Sequence, residues 1–212
     1  MQHAKNSSLH SRRTAFTLAE LMVALAICSI ITAAVVSMAF ALSSADEASD
    51  DTSQKQAQLR YATLTISDLL RHCMLICSRS GNNMAVWRAD DDDDGLIDPT
   101  ELVFLEAGNS GTSLELLWFA SGAGSVSMDA IINGTARSAL ESSNSPQHSV
   151  LIPQCSNINA QLDASPPWTR NVSISCDMVE NAATRHYQID VTLLVWAGHL
   201  LDSSGNIVSD DD

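Results

Sequence analysis

The stretch FTLAELMVALAICSIITAAVVSMAFAL, residues 16–42, decides the fold of the N-terminal part of this chain. Its only charged side chain is Glu20, close to its start. An α-helix rises about 1.5 Å per residue, so the part after Glu20 would extend about 33 Å and could cross a hydrocarbon core of about 30 Å. The stretch therefore predicts a membrane-spanning helix that begins with a carboxylate.

The residues before this stretch favour one orientation in the membrane. Residues 1–15 contain three basic side chains, Lys5, Arg12 and Arg13, and no acid. Basic residues next to a span tend to stay on the cytoplasmic side. We therefore expect a single pass through the inner membrane, with a cytoplasmic N-terminus and a periplasmic C-terminal domain.

Two ordinary interpretations of the apolar stretch leave Glu20 without a role. A secretory signal would be cut after AFA, residues 39–41, but its apolar core is usually about 7–15 residues long. A plain signal anchor would have the necessary length. Neither needs an acid at the head of the segment.

The segment RRTAFTLAELMVALAI, residues 12–27, resembles the N-terminal segment of type IV pilins and type II secretion pseudopilins. The resemblance implies that a prepilin peptidase cuts between Ala15 and Phe16 and that the new amino group of Phe16 is methylated. Glu20 is then the fifth residue after the cut, the position of the acid in that family. This chain departs from the family pattern in having Ala15 instead of the usual glycine before the cut, and no helix-bending proline, with Ser37 near that place.

The same resemblance gives the acid a partner. A carboxylate held inside lipid costs about 2.5–3.5 kcal/mol on insertion scales and normally marks an interaction. In the family, the amine of an incoming subunit pairs with the acid of a subunit already in the filament. The expected partners of this chain are therefore other pilin or pseudopilin subunits, the inner-membrane assembly machinery, the prepilin peptidase and the lipid bilayer.

The rest of the chain predicts an α+β domain. Apolar residues recur at spacings of three and four from Leu59 to Cys77, which predicts an amphipathic stem helix over residues 43–80 that ends at RSGNN, residues 79–83. Short alternating runs follow over residues 81–203, with a short helix at 128–140 and an acidic tail at 204–212. We expect a long N-terminal helix packed on an antiparallel sheet.

Three segments of this domain add a looser resemblance. SVLIPQCSNINAQLD, SPPWTRNVSIS and the last long predicted strand are similar to minor pilins and pseudopilins of the PilW or GspJ type.

The stretch DDDDDGLIDPTE, residues 90–101, has the spacing of a calcium-binding loop. Side-chain oxygens are expected at positions 1, 3, 5, 9 and 12, a glycine at position 6 and a backbone carbonyl at position 7. The predicted ligands are therefore Asp90, Asp92, Asp94, the carbonyl of Leu96, Asp98 and Glu101. Because the flanking residues predict strands, we expect the loop to join two strands, although a solvated run of charges is the ordinary alternative.

Four of the five cysteines lie outside the apolar stretch. This number fits an oxidising compartment, in which disulfides form and persist. Cys155 precedes one predicted strand and Cys176 lies in the next, which favours a Cys155–Cys176 disulfide. Cys73 and Cys77 would pack as small apolar residues or form a local bridge. Four cysteines allow three pairings, and the sequence leaves these open.

Composition and motifs limit the possible functions. The formal net charge is −14 and only two lysines are present, so no nucleic-acid partner is expected. No spacing typical of a catalytic nucleophile and its base occurs, so we expect no enzyme. The sequence predicts a minor pilin or pseudopilin with a calcium-stabilised domain. The alternative is a membrane-anchored, calcium-dependent binding or adhesion module that does not polymerise.

Overall fold

The computed structural model describes residues 17–108 and 111–208. The chain divides after Ser49 into two units, of which the second contains the sheets. Helix α1, Leu18–His72, begins in the first unit and ends in the second. Among the described residues, it is the one helix long and apolar enough to cross a membrane.

In the first unit, the apolar side chains of α1 are exposed along the whole apolar stretch. In the second unit, α1 buries Ala62, Ile66 and Leu70, which recur every four residues and so share one face. This amphipathic part confirms the predicted stem helix up to His72.

The prediction that the stem helix continues to Arg79 is wrong. Strand β1, Leu75–Ser80, follows α1 after a break of two residues. The segment pairs with β2, Asn83–Trp87, across a tight turn at Gly81 and Asn82. Leu75, Ile76 and Cys77 are all buried, because the two faces of the strand pack against two different cores.

Two antiparallel sheets make up the rest of the second unit. The first has the order β1-β2-β3-β4-β5, with β3 at Leu102–Gly108, β4 at Ser113–Phe119 and β5 at Pro146–Ile152. The second contains β6, Ser156–Leu162, β7, Asn171–Glu180, and β8, Ala183–Thr192. The α+β class is confirmed, with two sheets where the sequence predicted one.

The predicted short helix is present as two pieces, α2, Met128–Ile132, and α3, Thr135–Ser143. Gly134 separates them with a φ of 77°, a left-handed conformation that glycine adopts without strain. Both pieces bury apolar residues, among them Ile131 and Leu140.

The five-stranded sheet has a core on each face. On one face, α1 and the three-stranded sheet cover residues such as Val86 and Leu105. On the other, α2, α3 and the C-terminal segment cover residues such as Trp87 and Phe104. Since both faces are covered, the central strands consist of continuous apolar runs and do not alternate.

Candidate functional site: the N-terminal carboxylate and the acidic loop

The carboxylate of Glu20 is bound within its own helix. Its Oε2 atom accepts hydrogen bonds from the backbone N–H and the hydroxyl of Thr17, both at 2.9 Å. The N–H of Glu20 donates back to the Thr17 hydroxyl at 3.3 Å. This reciprocal arrangement is a capping box, which satisfies N–H groups left unpaired at the start of a helix. The sequence signature, Thr17-x-x-Glu20, was visible, and our sequence interpretation missed it.

The remaining polar side chains of the apolar stretch are also satisfied locally. Ser29, Thr32 and Ser37 donate their hydroxyl hydrogens to backbone carbonyls three or four residues earlier, at 2.7 to 2.9 Å. A hydroxyl bonded in this way can face lipid without an unpaired donor. The exposed surface of this helix is therefore compatible with a bilayer.

The acidic loop joins β2 to β3, two neighbouring antiparallel strands, as predicted. The ladder continues one step beyond the strands, since the N–H of Arg88 donates to the carbonyl of Glu101 at 2.9 Å. The two ends of the loop are therefore fixed side by side.

Hydrogen bonds to Asp90 and two sharp turns shape the first half of the loop. The two carboxylate oxygens of Asp90 accept from the N–H groups of Asp94, at 3.2 Å, and Gly95, at 2.9 Å. Asp93 and Gly95 have φ values of 61° and 70°, so the chain turns sharply at both. Aspartate is among the few residues that adopt a left-handed conformation at low cost.

These turns bring three carboxylates together. One oxygen each from Asp90, Asp92 and Asp94 lies within 4.8 Å of the others. Loss of water around Asp92, followed by the negative charges of Asp94 and Asp98, raises the pKa of Asp92 above its usual range. All the donor atoms are oxygens, the ligand type that Ca²⁺ prefers.

Glu101, the predicted last ligand, lies outside this close group and is buried. Its Oε2 atom accepts from the indole N–H of Trp87 and the N–H of Asp98, both at 3.0 Å. Its Oε1 atom accepts from the N–H of Asp91. A carboxylate has about four acceptor positions, so these three donors do not exhaust its capacity.

Two further residues belong to the loop's surroundings. Ile97, at the eighth loop position, is buried in the second core, and its carbonyl accepts from the N–H of Val126 at 2.7 Å. His199 lines the same small cavity as Asp90 and Asp94. Sequence spacing could not indicate His199, because it lies about one hundred residues away along the chain.

The five cysteines are free thiols in the structure, so the predicted Cys155–Cys176 disulfide is not formed in it and stays a prediction. Both residues lie in the same buried core. A hydrogen bond between their side chains lowers the pKa of Cys176 and raises that of Cys155. Burial raises the pKa of Cys73 and of Cys77 to about 12, which suits the apolar packing role expected for them.

Comparison with known proteins identifies the N-terminal segment. Residues 10–36 match the family model described as the prokaryotic N-terminal methylation motif. No curated protein and no solved structure matches the chain. The chain therefore carries a type IV pilin-like N-terminal segment and is anchored in a membrane by the apolar helix. The predicted processing residues, Ala15 and Phe16, lie within the matched segment and outside the described residues.

Proposed function

We propose that this chain is a minor pilin or pseudopilin, cut after Ala15 by a prepilin peptidase and methylated on Phe16. It is then built into a type IV pilus or a type II secretion pseudopilus. The observation that carries the proposal is Glu20 at the head of an exposed apolar helix, inside the matched methylation segment. The domain after the span lies on the periplasmic side of the inner membrane.

The proposed assembly step is electrostatic. Cleavage before Phe16 creates a positive amine near the membrane depth of Glu20, and the amine of an incoming subunit binds this carboxylate. Pairing removes the cost of an isolated charge in lipid. The Thr17 hydroxyl and N–H hold the carboxylate before that partner arrives.

A pair of variants tests this step. Glu20→Gln retains the capping box, since glutamine also serves at that position, and removes the charge. Thr17→Val removes the capping hydroxyl and retains the charge. We expect Glu20→Gln to be processed normally and to fall at least about tenfold in sheared filaments, which corresponds to about 1.4 kcal/mol. Thr17→Val should still be incorporated.

The capping box also favours the second candidate, a membrane-anchored calcium-dependent binding module that does not polymerise. In that protein Glu20 would serve its own helix alone. Normal incorporation of Glu20→Gln, or loss of incorporation in Thr17→Val alone, would favour the capping role and contradict the charge-pairing step.

Calcium binding by the acidic loop is the second part of the proposal. Asp90, Asp92 and Asp94 would hold the ion from the first half of the loop, with the Leu96 carbonyl, Asp98 and Glu101 completing the oxygen shell. The convergence of three like charges supports this, because a divalent cation removes their repulsion. A single extracytoplasmic site suggests a Kd of about 10⁻⁴ to 10⁻³ M.

Thermal unfolding of the full chain in detergent tests the calcium site. At one hundred times the Kd, ligand binding would stabilise the domain by about 2.7 kcal/mol. For a domain of this size the Tm should then rise by roughly 5–10 °C. A Tm that is the same in calcium and in a chelator would contradict calcium binding.

A further inference from the structure

One of two neighbouring cysteines, Cys155, lies in the connection between the two sheets. Cys155 lies between β5 and β6, where the chain passes from the first sheet to the second. The N–H of Cys155 donates to the carbonyl of Thr112, just before β4, at 3.0 Å. This bond holds Cys155 against the first sheet, while Cys176 belongs to β7 of the second.

Strand register brings the two residues together. Ser156 pairs with Asp177. Cys155 and Cys176, each one residue earlier in the chain, are therefore diagonal neighbours across the β6–β7 ladder. Diagonal neighbours in an antiparallel pair have Cα atoms about 7–8 Å apart. A disulfide needs a Cα separation of about 4.4–6.8 Å, so bond formation also draws Cys155, which lies outside β6, slightly closer to β7. Both cysteines are buried in the core between α1 and the sheets, at 6% and 3% exposure.

The other two cysteines of the domain are separated by the first sheet. Cys73 belongs to the same core as Cys155 and Cys176, whereas Cys77 belongs to the core on the opposite face. Any pairing in which all four cysteines form disulfides without a Cys155–Cys176 bond requires Cys77 to reach Cys155 or Cys176. The sheet prevents that contact, and it also separates Cys73 from Cys77, so the structure opposes all three pairings that use all four cysteines.

We infer that Cys155 and Cys176 form the single disulfide of this chain, which fixes the connection between the sheets to β7. Cys28, Cys73 and Cys77 remain thiols. The inference uses the oxidising compartment of the proposed function and is independent of filament assembly. It would hold equally for a membrane-anchored domain that does not polymerise.

The reaction is thiol–disulfide exchange with a disulfide-bearing oxidant, either a thiol oxidase or a small disulfide such as oxidised glutathione. One cysteine forms a mixed disulfide with the oxidant and releases one reduced thiol from it. The second cysteine then attacks and releases the other. The two cysteines lose two protons and two electrons in total, and the oxidant takes up both electrons. Cys155 lines a surface cavity together with Lys55 and Val179, which gives the oxidant a route to it.

Peptide mapping of the full chain, extracted in detergent with free thiols blocked, tests the pairing directly. Trypsin cuts after lysine and arginine and would release residues 138–170 with Cys155 and residues 171–185 with Cys176. Both Cys73 and Cys77 lie on residues 72–79. We expect the first two peptides to be linked and the third to be fully blocked. A link from residues 72–79 to either of the others would overturn the inference.

A second measurement uses the purified chain. It tests the Cys155–Cys176 pairing independently of the compartment in which the chain lies. Oxidised glutathione should leave three titratable thiols after denaturation. Subsequent reduction should lower the Tm by roughly 6–12 °C, as expected for closing a loop of about twenty residues. Cys28→Ser is the matched control and should leave that shift unchanged. Five thiols in the oxidised sample would overturn the inference. Three thiols in vitro with five in cell extracts would leave the pairing intact and contradict the proposed export.

Discussion

At the scale of single residues, Glu101 differs from the other carboxylates of the acidic loop because it is buried and accepts three hydrogen bonds. Trp87, Asp91 and Asp98 donate N–H groups to it. Removing a buried charged acceptor leaves those donors without a partner and costs about 1.5–3 kcal/mol. Glu101 therefore holds the two ends of the loop together through these hydrogen bonds.

We predict different results for Glu101→Gln and Asp92→Asn in thermal unfolding of the full chain. Glu101→Gln should lower stability in a chelator by about 1.5–3 kcal/mol, because its amide nitrogen faces N–H donors. Asp92→Asn should leave the chelated protein unaffected or slightly stabilised, since it removes repulsion from Asp94 and Asp98, and should reduce the calcium shift.

Asp93→Asn is the matched control for these variants. Asp93 is not one of the proposed ligands, and asparagine tolerates its left-handed φ of 61°. The calcium shift should therefore persist in Asp93→Asn. An equal loss of the shift in Asp92→Asn and Asp93→Asn would show a general charge effect and contradict a defined site.

Asp177 provides a prediction about pH. A hydrogen bond from Asn157, followed by one with His186, lowers the pKa of Asp177 below its usual range. A lowered carboxyl pKa in the folded state stabilises the fold above the unfolded value, near 3.9. That contribution disappears as the pH falls through the folded pKa.

The stability advantage of the wild type over Asp177→Asn should therefore be present at about pH 5 and shrink progressively as the pH falls below about 4. Chemical denaturation at several pH values measures it. His148→Gln, at an exposed position of β5, is a control for general effects of charge. An advantage that does not shrink as the pH falls below about 4 would contradict the lowered pKa of Asp177.

At the scale of elements, one difference between expectation and structure falls at the end of helix α1. The spacing from Leu59 to Leu70 is helical and the structure follows it. Ile76 and Cys77 continue the same spacing by chance, because the first half of β1 is buried on both faces and is apolar. Periodicity cannot distinguish such a strand from a helix, and pairing with β2 settles the outcome.

The sequence predicted those features of the acidic loop that depend on contacts between residues close together in the chain. Asp90, Asp92 and Asp94 converge within five residues through backbone turns whose preferences the sequence contains. The Trp87–Glu101 bond depends on strand register, and the position of His199 depends on the packing of the C-terminal segment. Those two features require tertiary contacts and were not predictable from spacing.

Two tight turns give a prediction at this scale. The β7–β8 turn contains Ala182 at a φ of 62°, a conformation that costs an ordinary residue about 1–2 kcal/mol. Ala182→Gly should therefore stabilise the domain by up to about 1 kcal/mol after the greater entropy of unfolded glycine is subtracted. Urea unfolding measures the change.

Gly81, in the β1–β2 turn, is the reverse case. Its φ is 61° and an added Cβ would meet no neighbouring atom, so only backbone strain opposes a larger residue. Gly81→Ala should destabilise the domain by about 1 kcal/mol, and Gly81→Asn by less, because asparagine adopts this conformation more readily. Equal stability of all three proteins would contradict the turn geometry.

At the scale of the whole molecule, charge and hydrophobicity are distributed between two environments. The described part of the first unit exposes an apolar helix surface with one carboxylate near its start, and the second unit buries two cores. Removing residues 1–15 would take away three basic side chains and no acid. The processed chain would be still more acidic, which disfavours a direct role in binding nucleic acid.

The account depends on the amino group that cleavage creates, so the native N-terminus is its most direct test. Mass spectrometry of the chain purified from membranes of its own cells should show Phe16 as the first residue, with a methyl group on its nitrogen. A chain that still begins at Met1 would have no amine at the depth of Glu20 and would contradict filament assembly. A start near Leu42 would mean that the apolar helix is removed altogether.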